Sequence, residues 1–313
     1  MMVISCSELT KYYSGEKIPA IKKLNLDVAK GAVFGFLGPN GAGKTTTIKI
    51  LTGQMSPDLG KVYILDSEMT VKSIDIKRKI GYIGQDHMMY SWMKSEELLL
   101  FVGSIFGLSK SDAKSRAKNL LDISGLSQAK NKRVSALSGG MKQRLGIAQA
   151  MMGKPEVLFL DEPTSALDPI GRKEVLNFIH EIKDETTVFM STHILEDVER
   201  VCDTVAIIDN GEIIIQEETK NLKEKFSNNI IELEFANQNE LETLKKIVNN
   251  RPDLGEIINE SSEFLVIHPK DIDYSRKGFL DEISRNNIGL LRFELSKPSL
   301  EDIFVKLVEG KNE

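Results

Sequence analysis

The chain has 313 residues, enough for about two domains, and its 41% hydrophobic and 28% charged content is that of an ordinary soluble protein. A net charge of -5 gives it no basic footprint for DNA or RNA. Two distant cysteines, Cys6 and Cys202, indicate a reducing cytoplasm and packed thiols rather than a metal site. We expect no signal peptide, and no apolar run is long enough to span a membrane, so membrane work would need another chain.

Two strands of a small sheet are predicted at residues 2–9 and 18–28, joined by a turn that contains Tyr12 and Tyr13. An aromatic face in such a turn can stack on a purine base. A tyrosine packed at the protein surface is the alternative, and for Tyr13 the sequence leaves both open.

The glycine-rich stretch at residues 38–46 is the strongest chemical signal in the chain. The residues that match the phosphate-binding pattern G-x-x-x-x-G-K-[ST] are Gly38, Gly43, Lys44 and Thr45. A buried strand is predicted before the loop at residues 32–37, and a helix after it at residues 46–51. Backbone N–H groups of the loop and the positive end of the helix dipole bind anions. Lys44 would add a charge for the outer phosphates, and Thr45 a hydroxyl ligand for Mg²⁺.

The region after the glycine-rich loop is predicted to form strands and then helices. Residues 61–65 and 80–84 are interpreted as strands, the second ending at Gln85. From Gln85 to about residue 153 the apolar pattern becomes helical, with helices at residues 96–107 and 111–123. We interpret this region as a helical insertion between two strands of the core sheet.

Ser138-Gly139-Gly140 opens another predicted helix, which runs through residue 150. Small residues at a helix N-terminus form a nest of N–H groups, so this is a second anion site by the same physics as the first. The alternative is a plain serine N-cap with glycines in a turn.

The apolar run at residues 157–160 predicts a buried strand that delivers Asp161 and Glu162 to its carboxyl end, where ligands bind in parallel α/β sheets. We expect Asp161 to hold a metal directly or through water, and Glu162 to polarise an attacking water. A solvated acidic turn is the alternative, but it is disfavoured beside a phosphate loop. A turn at residues 164–169 then leads into a helix predicted at residues 171–182.

The strand predicted at residues 187–192 ends at His193, at the same edge of the sheet as Asp161, where its imidazole would meet a phosphate. The histidines that lack such a context, and that we expect to be packed or surface residues, are His87, His180 and His268.

Beyond about residue 220 the predicted order is β-α-β-β-α-β followed by one helix, the split β-α-β arrangement. The predicted strands lie at residues 229–235, 256–260, 264–267 and 289–295, and the predicted helices at residues 239–248, 271–285 and 298–308. This region has no phosphate loop, metal spacing or catalytic triad, so its residues assign it no chemistry.

Together, the motifs of roughly the first 220 residues resemble, in kind and order, the ATP-binding subunit of ABC transporters. Residues 38–45 resemble the Walker A loop, residues 165–168 the D-loop, and residues 137–141 the LSGGQ-type signature, with Met141 in place of glutamine. The single residues that resemble family positions are Gln85 (Q-loop), Asp161 (Walker B aspartate), Glu162 (catalytic glutamate) and His193 (switch histidine). The tail, which closes with residues 297–304, is similar to the extension of drug-resistance and sodium-efflux type subunits.

The resemblance implies an α/β fold: a P-loop NTPase core of ABC type with an antiparallel β subdomain and a helical subdomain, followed by a small α+β domain. The ATP-binding domain would cover residues 1–220, with the helical subdomain at about residues 86–153. The accessory domain would cover residues 221–313.

The resemblance also implies ATP and Mg²⁺ as cofactors, bound between two subunits that pair head to tail, as a homodimer or with a closely related subunit. The implied ATP-binding residues, the last three acting across the dimer, are Tyr13, Gly38, Pro39, Asn40, Gly41, Ala42, Gly43, Lys44, Thr45, Thr46, Ser138, Gly139 and Gly140. The implied metal-binding residues are Thr45, Gln85 and Asp161, and the implied catalytic residues are Glu162, His193 and Gln85. Tyr13 resembles the aromatic that stacks on adenine, although Tyr12 leaves the register open by one.

These expectations describe an ATPase, peripheral on the inner face of the cell membrane, that powers a separate permease exporting a drug-like, lipid or ion substrate. Met88, Met89, Tyr90 and Trp92 would form a docking groove for that permease or, equally, a buried cluster. Gly84 stands where the family often has proline. Glycine frees the backbone, which would make the Q-loop more mobile.

The alternative function is a soluble ABC-type ATPase that acts on ribosomes or nucleic acid. The chain has a single Walker A loop, and only 94 positions separate Lys44 from Ser138, too few for a long inserted coiled coil. The acidic balance also argues against a nucleic-acid partner.

Overall fold

The structure is a computed structural model that describes residues 1–85, 89–225 and 230–296, without the side chains of residues 223–225 and 296. The chain forms two compact units, Met1–Thr219 and Lys220–Glu313.

The first unit contains two sheets and a set of helices. Its strands are β1 (Met2–Lys11), β2 (Ile21–Ala29), β3 (Val33–Leu37), β4 (Leu59–Ile64), β5 (Ser67–Glu68), β6 (Ile80–Ile83), β7 (Val157–Asp161), β8 (Thr187–Thr192), β9 (Thr204–Asp209) and β10 (Glu212–Glu218). Its helices are α1 (Lys44–Leu51), α2 (Ile74–Lys77), α3 (Ser95–Ile105), α4 (Lys110–Ile123), α5 (Gly139–Met151), α6 (Pro169–Ile182) and α7 (Leu195–Val201), and α8 (Thr219–Lys225) crosses the unit boundary.

The central sheet has the strand order β10-β9-β3-β8-β7-β6, parallel from β9 to β6 with β10 antiparallel at one edge. Strands β3, β7 and β8 are buried along their whole length, which explains the near-continuous apolar sequences of β3 and β7. The ring of Phe189 lies 5.3–5.6 Å from the rings of Phe34, Phe36 and Phe159, so aromatic packing ties these three strands together. The carboxyl ends of the three strands therefore meet at one sheet edge.

A second, antiparallel sheet with the order β2-β1-β4-β5 packs on the same core. Buried side chains from both sheets and from α1, among them Ile4, Leu26, Phe36 and Ile48, form one hydrophobic cluster. Helices α3, α4 and α5 lie between β6 and β7 in the chain, which confirms the predicted helical insertion. The predicted α/β fold with antiparallel and helical subdomains is confirmed.

The second unit is an antiparallel sheet with two helices. Its elements are β11 (Ile230–Phe235), α9 (Gln238–Asn250), β12 (Glu256–Glu260), β13 (Phe264–His268), α10 (Ile272–Arg285) and β14 (Leu290–Ser296). The strand order β12-β13-β11-β14 is that of the predicted split β-α-β arrangement. Alternate residues of β11, such as Leu233, are buried against α9 and α10. The helix predicted at residues 298–308 and the closing segment at residues 297–304 lie outside the described residues.

Several helices of the first unit differ from the sequence-based expectation, and the four-residue helix α2 was not predicted. Helix α6 begins at Pro169, two residues earlier than predicted, because the Asp168 carboxylate accepts a hydrogen bond from the Gly171 amide at 2.9 Å and proline suits the first helical position. The short helix α7 was not predicted, and no side chain caps its N-terminus.

Both cysteines are buried, as expected. Burial raises the pKa of the Cys6 thiol to about 12, and burial likewise raises the pKa of the Cys202 thiol. Both thiols are therefore packing groups at neutral pH. Within the described residues, no helix combines the length and apolar character needed to cross a bilayer.

Candidate functional site

A cavity of about 530 Å³ opens at the sheet edge where β3 ends and α1 begins. Its lining residues are Tyr13, Ala20, Asn40, Gly41, Gly43, Lys44, Thr45, Thr46, Gln85 and Glu162. The glycine loop, the first turn of α1, the second residue after β6 and the first residue after β7 thus converge on one space, as the parallel topology predicts.

The conformation of the loop explains its glycines. Gly41 and Gly43 have φ values of +85° and +106°, in the left-handed region where a side chain is strained. Gly43 is also the N-cap of α1, so the loop turns directly into the helix. At Gly38 the reason is space, since a Cβ atom there would lie 2.3 Å from the Ile208 carbonyl oxygen.

Lys44 lies folded back across this loop. Its ammonium donates hydrogen bonds to the carbonyl oxygens of Gly38 at 2.7 Å and Pro39 at 3.1 Å. It also forms an ion pair with Glu162, with 3.1 Å between Nζ and Oε1, and both side chains are only 6% exposed. Three partners match the three N–H donors of an ammonium group. The buried charges of Lys44 and Glu162 therefore compensate each other in the free chain.

Glu162 connects Lys44 to His193. The second carboxylate oxygen, Oε2, lies 2.8 Å from Nδ1 of His193, whose side chain is 41% exposed. The backbone of Glu162 is left-handed, with φ of +53°, and its amide donates to the carbonyl and hydroxyl oxygens of Ser191 at 3.2 and 3.0 Å. The structure thus brings both residues to the sheet edge predicted from the sequence.

Asp161 forms a group of hard oxygen atoms with two hydroxyls. Ser191 donates to its Oδ1 at 2.6 Å, and Thr45 donates to the same atom at 3.3 Å. A carboxylate and a hydroxyl at this spacing suit Mg²⁺, which takes few protein ligands and completes its shell with water and phosphate oxygens. The residues present therefore fit the predicted metal: Thr45 and Gln85 line the cavity, and Asp161 lies behind Thr45 without being among the lining residues.

The two adjacent tyrosines have different surroundings. Tyr13 lines the cavity, and its hydroxyl lies 2.9 Å from the Thr46 hydroxyl on α1. Tyr12 does not line the cavity, and its backbone amide donates a hydrogen bond to the Asp58 carboxylate at 2.6 Å. This geometry favours Tyr13 over Tyr12 as the cavity aromatic, and its stacking role stays a prediction.

The predicted second nest is not part of this cavity. Ser138 caps α5 by accepting a hydrogen bond from the Met141 amide at 3.3 Å, and Ser138 and Gly139 are exposed. Gly140 is buried against α6, where a Cβ atom would lie 3.0 Å from the Gly171 Cα atom. Within one chain, residues 138–140 are not among the residues that line the cavity.

Gly84 lies close to the side chain of Tyr82, and the mobility expected of the Q-loop stays a prediction. A Cβ atom there would lie 2.7 Å from the Tyr82 hydroxyl, and no positive φ is present. Burial, followed by the nearby Asp161 charge, raises the pKa of Tyr82, so this hydroxyl remains protonated beside the site.

The remaining predicted residues fall into two groups. Gly38, Pro39 and Ala42 belong to the loop without lining the cavity, and Gly38 and Pro39 instead hold Lys44 through their carbonyls. His180 is exposed on α6 and His268 is half-buried on β13, as expected of packed or surface histidines, while His87 lies outside the described residues. The sequence analysis does not single out Ala20, which it places in a strand, or Ser191, whose hydroxyl is one of three in β8, beside those of Thr187 and Thr192.

The sequence and the fold of the chain match those of known proteins. The ABC transporter family matches residues 21–165, and the C-terminal domain of DrrA1-3-like ATP-binding proteins matches residues 218–308. The chain is 39% identical to YxlF of Bacillus subtilis, an uncharacterised ABC transporter ATP-binding protein, over 98% of this chain and 100% of YxlF. It is 35% identical to BcrA of Bacillus licheniformis, a bacitracin transport ATP-binding protein, over 98% of each chain. The dimeric ATP-binding cassette MJ0796 bound to ADP and Pi matches with a TM-score of 0.61 and 28% identity, over 69% of this chain and 98% of that one.

Proposed function

The chain belongs to the ABC transporter family as an ATP-binding and ATP-hydrolysing subunit, and from that premise we propose that it powers a separate membrane-spanning permease that exports its substrate. The observation that carries the proposal is the Lys44–Glu162–His193 arrangement at the mouth of a glycine-lined cavity. A phosphate-binding ammonium, a general base and an orienting imidazole are the groups that phosphoryl transfer to water needs.

In the proposed reaction, the phosphates of ATP replace Glu162 as the partner of Lys44. The freed Glu162 carboxylate then polarises a water molecule for attack on the γ-phosphate, while His193 keeps the carboxylate oriented through Nδ1. Thr45, Asp161 and Gln85 would hold Mg²⁺, which supplies charge neutralisation at the phosphates. Catalysis consists of positioning and electrostatic stabilisation, as in other phosphoryl transfers.

The proposed active form is a head-to-tail dimer. Each ATP lies between the loop of one copy and residues 138–140 of the other. The exposure of Ser138 and Gly139 supports this, because the N-terminus of α5 is a free anion site on the surface of a single chain. MJ0796, a related cassette, is itself dimeric.

Tyr13 is proposed to stack on the adenine base. We expect Tyr13→Ala to weaken ATP binding by about 5–100-fold, the equivalent of about 1–3 kcal/mol for one stacked base. Tyr13→Phe should retain most of the affinity, since it loses only the hydrogen bond to Thr46. Calorimetric titration with ATP measures the effect, and Tyr12→Ala is the matched control. An affinity loss in the Tyr12 variant instead of the Tyr13 variant would reverse the assignment.

An exposed aromatic patch, formed by Tyr90, Trp92 and Phe101, supports a docking role for the region after Gln85. Trp92 is 64% exposed and Tyr90 52% exposed, so the buried-cluster alternative does not describe them. The Tyr90 ring lies 6.1 Å from that of Trp92 and 5.7 Å from that of Phe101, which makes the patch contiguous. Contiguous exposed aromatics are typical of protein interfaces. Met89 is half-buried, and Met88 lies outside the described residues.

The permease is proposed to bring the subunit to the inner face of the membrane, with residues 1–220 as the ATP-binding domain and residues 221–313 as an accessory domain. The match to a DrrA-like C-terminal domain and the similarity to BcrA, a bacitracin transport protein, support an exporter of drug-like molecules. The net charge of -5 argues against the rival function on ribosomes or nucleic acid.

Affinity purification of the tagged chain from detergent-solubilised membranes of its own host tests the proposal. We expect a membrane protein with several spans to co-purify, and Tyr90→Ser with Trp92→Ser to lower its yield at least about tenfold, because these rings are the anchors of the interface. Tyr63→Ser, at an aromatic that is 38% exposed on β4, is the control and should leave the yield unchanged. Recovery of ribosomes or DNA in place of a membrane protein would favour the rival function.

A further inference from the structure

Asp197 on α7 is a fully buried carboxylate outside the cavity. Its Oδ2 accepts a hydrogen bond from the Thr164 hydroxyl, and its Oδ1 lies 2.5 Å from Nε of Arg172. A buried charge is retained only when it is paired and hydrogen-bonded, and both oxygens of Asp197 meet that condition. None of the three residues is among those that line the cavity.

Asp197 and its two partners lie in the segments that follow the two residues proposed to activate water: the partners follow Glu162, and Asp197 follows His193. Thr164 is two residues after Glu162, in the loop between β7 and α6. Arg172 lies in the first turn of α6, at the other end of that loop. Asp197 itself is four residues after His193, within the first turn of α7. The Asp197 carboxylate, through Thr164 and Arg172, therefore links both ends of the loop after Glu162 to the segment after His193.

The loop that contains Thr164 needs such an anchor. Glu162 and Ala166, two residues on either side of Thr164, have left-handed backbones with φ of +53° and +60°. Non-glycine residues persist in that region only when surrounding contacts hold them there. The buried hydroxyl of Thr164, between these two strained residues, is held by Asp197.

We infer that Asp197 is a positioning residue for hydrolysis. It fixes the Glu162 loop against α7 so that the Glu162 carboxylate and the His193 imidazole remain 2.8 Å apart when Lys44 turns to the phosphates. The inference rests on the water-activating roles proposed above for Glu162 and His193. Because Asp197 lies outside the cavity, its loss should change turnover and leave ATP binding unchanged.

The test compares kcat, the ATP dissociation constant and the melting temperature of full-length variants. Asp197→Asn keeps the size of the side chain and removes its charge. We expect kcat to fall about 10–100-fold, because a displacement of a catalytic group by about 1 Å can cost about 100-fold. The ATP dissociation constant should stay within twofold. Glu196→Gln is the matched control, because Glu196 pairs with the same Arg172 at 3.0 Å but is 83% exposed, and its kcat should equal that of the wild type.

A second variant decides the matter if Asp197→Asn does not fold. Thr164→Val removes only the hydroxyl link to Asp197, and it should lower kcat several-fold with ATP binding unchanged. A wild-type kcat in a folded Asp197→Asn variant would overturn the inference. If Asp197→Asn does not fold, a wild-type kcat in Thr164→Val would overturn it. A loss of ATP affinity equal to the loss of kcat would also overturn it. Glu162→Gln, measured in parallel, separates the two proposals: if it retains full turnover, the proposed roles at the cavity fail, whatever Asp197 does.

Discussion

The substitution Glu162→Gln is expected to lower ATP turnover by about 10²–10⁴-fold while ATP binding persists, because it removes the proposed general base and keeps its shape. In the free chain Glu162 pairs with Lys44 at 3.1 Å, so the neutral amide also removes a competitor of the phosphates for that ammonium. ATP affinity should therefore equal or exceed that of the wild type.

The same variant should accumulate as a dimer when ATP and Mg²⁺ are present. Hydrolysis is the step proposed to reopen the dimer, and without it the triphosphate continues to bridge the two copies. Size-exclusion chromatography with light scattering should give twice the mass of one chain with ATP and the mass of one chain without it. Glu156→Gln is the control, because Glu156 is a surface residue paired with Lys79 just before β7. A monomer under all conditions would contradict the head-to-tail mechanism.

The second large effect is expected for Lys44→Ala, which should weaken ATP binding at least about 100-fold, or about 2.7 kcal/mol, the scale of one or two hydrogen bonds to a charged group. The substitution removes all three donors that Lys44 now directs at Gly38, Pro39 and Glu162. It also leaves the Glu162 carboxylate, 6% exposed, without its cation, so the cavity repels the phosphates of ATP.

Equilibrium titration with ATP measures this loss, with Lys49→Ala as the control. Lys49 lies on the same helix, α1, and does not line the cavity, so its removal should leave the affinity within twofold of wild type. An unchanged affinity in Lys44→Ala would remove the basis for the central site.

The residues at the strand ends could be predicted because the topology of a parallel sheet determines where they meet. Once residues 32–37, 157–160 and 187–192 are interpreted as buried parallel strands, the loop after β3, Asp161 after β7 and His193 after β8 must share one edge. The glycine positions were likewise predictable, since a turn into a helix at positive φ requires them.

Contacts between side chains that meet only after folding could not be predicted from the sequence. The pairing of Lys44 with Glu162 joins residues 118 positions apart, and no local pattern indicates it. That Tyr13, and not Tyr12, lines the cavity and contacts Thr46 is likewise visible only in the folded chain. The helix α7 escaped prediction because its seven residues are too few to establish a helical period.

The central claim is that one ATP is bound by the glycine loop of one copy and by the N-terminus of α5 of another. The most direct measurement is a crystal structure of the Glu162→Gln variant grown with ATP and Mg²⁺. We predict that the Ser138 hydroxyl of one copy lies at hydrogen-bonding distance, about 3 Å, from the γ-phosphate held by Lys44 of the other. A nucleotide-bound structure in which Ser138 of every neighbouring copy lies far from any phosphate would contradict the account.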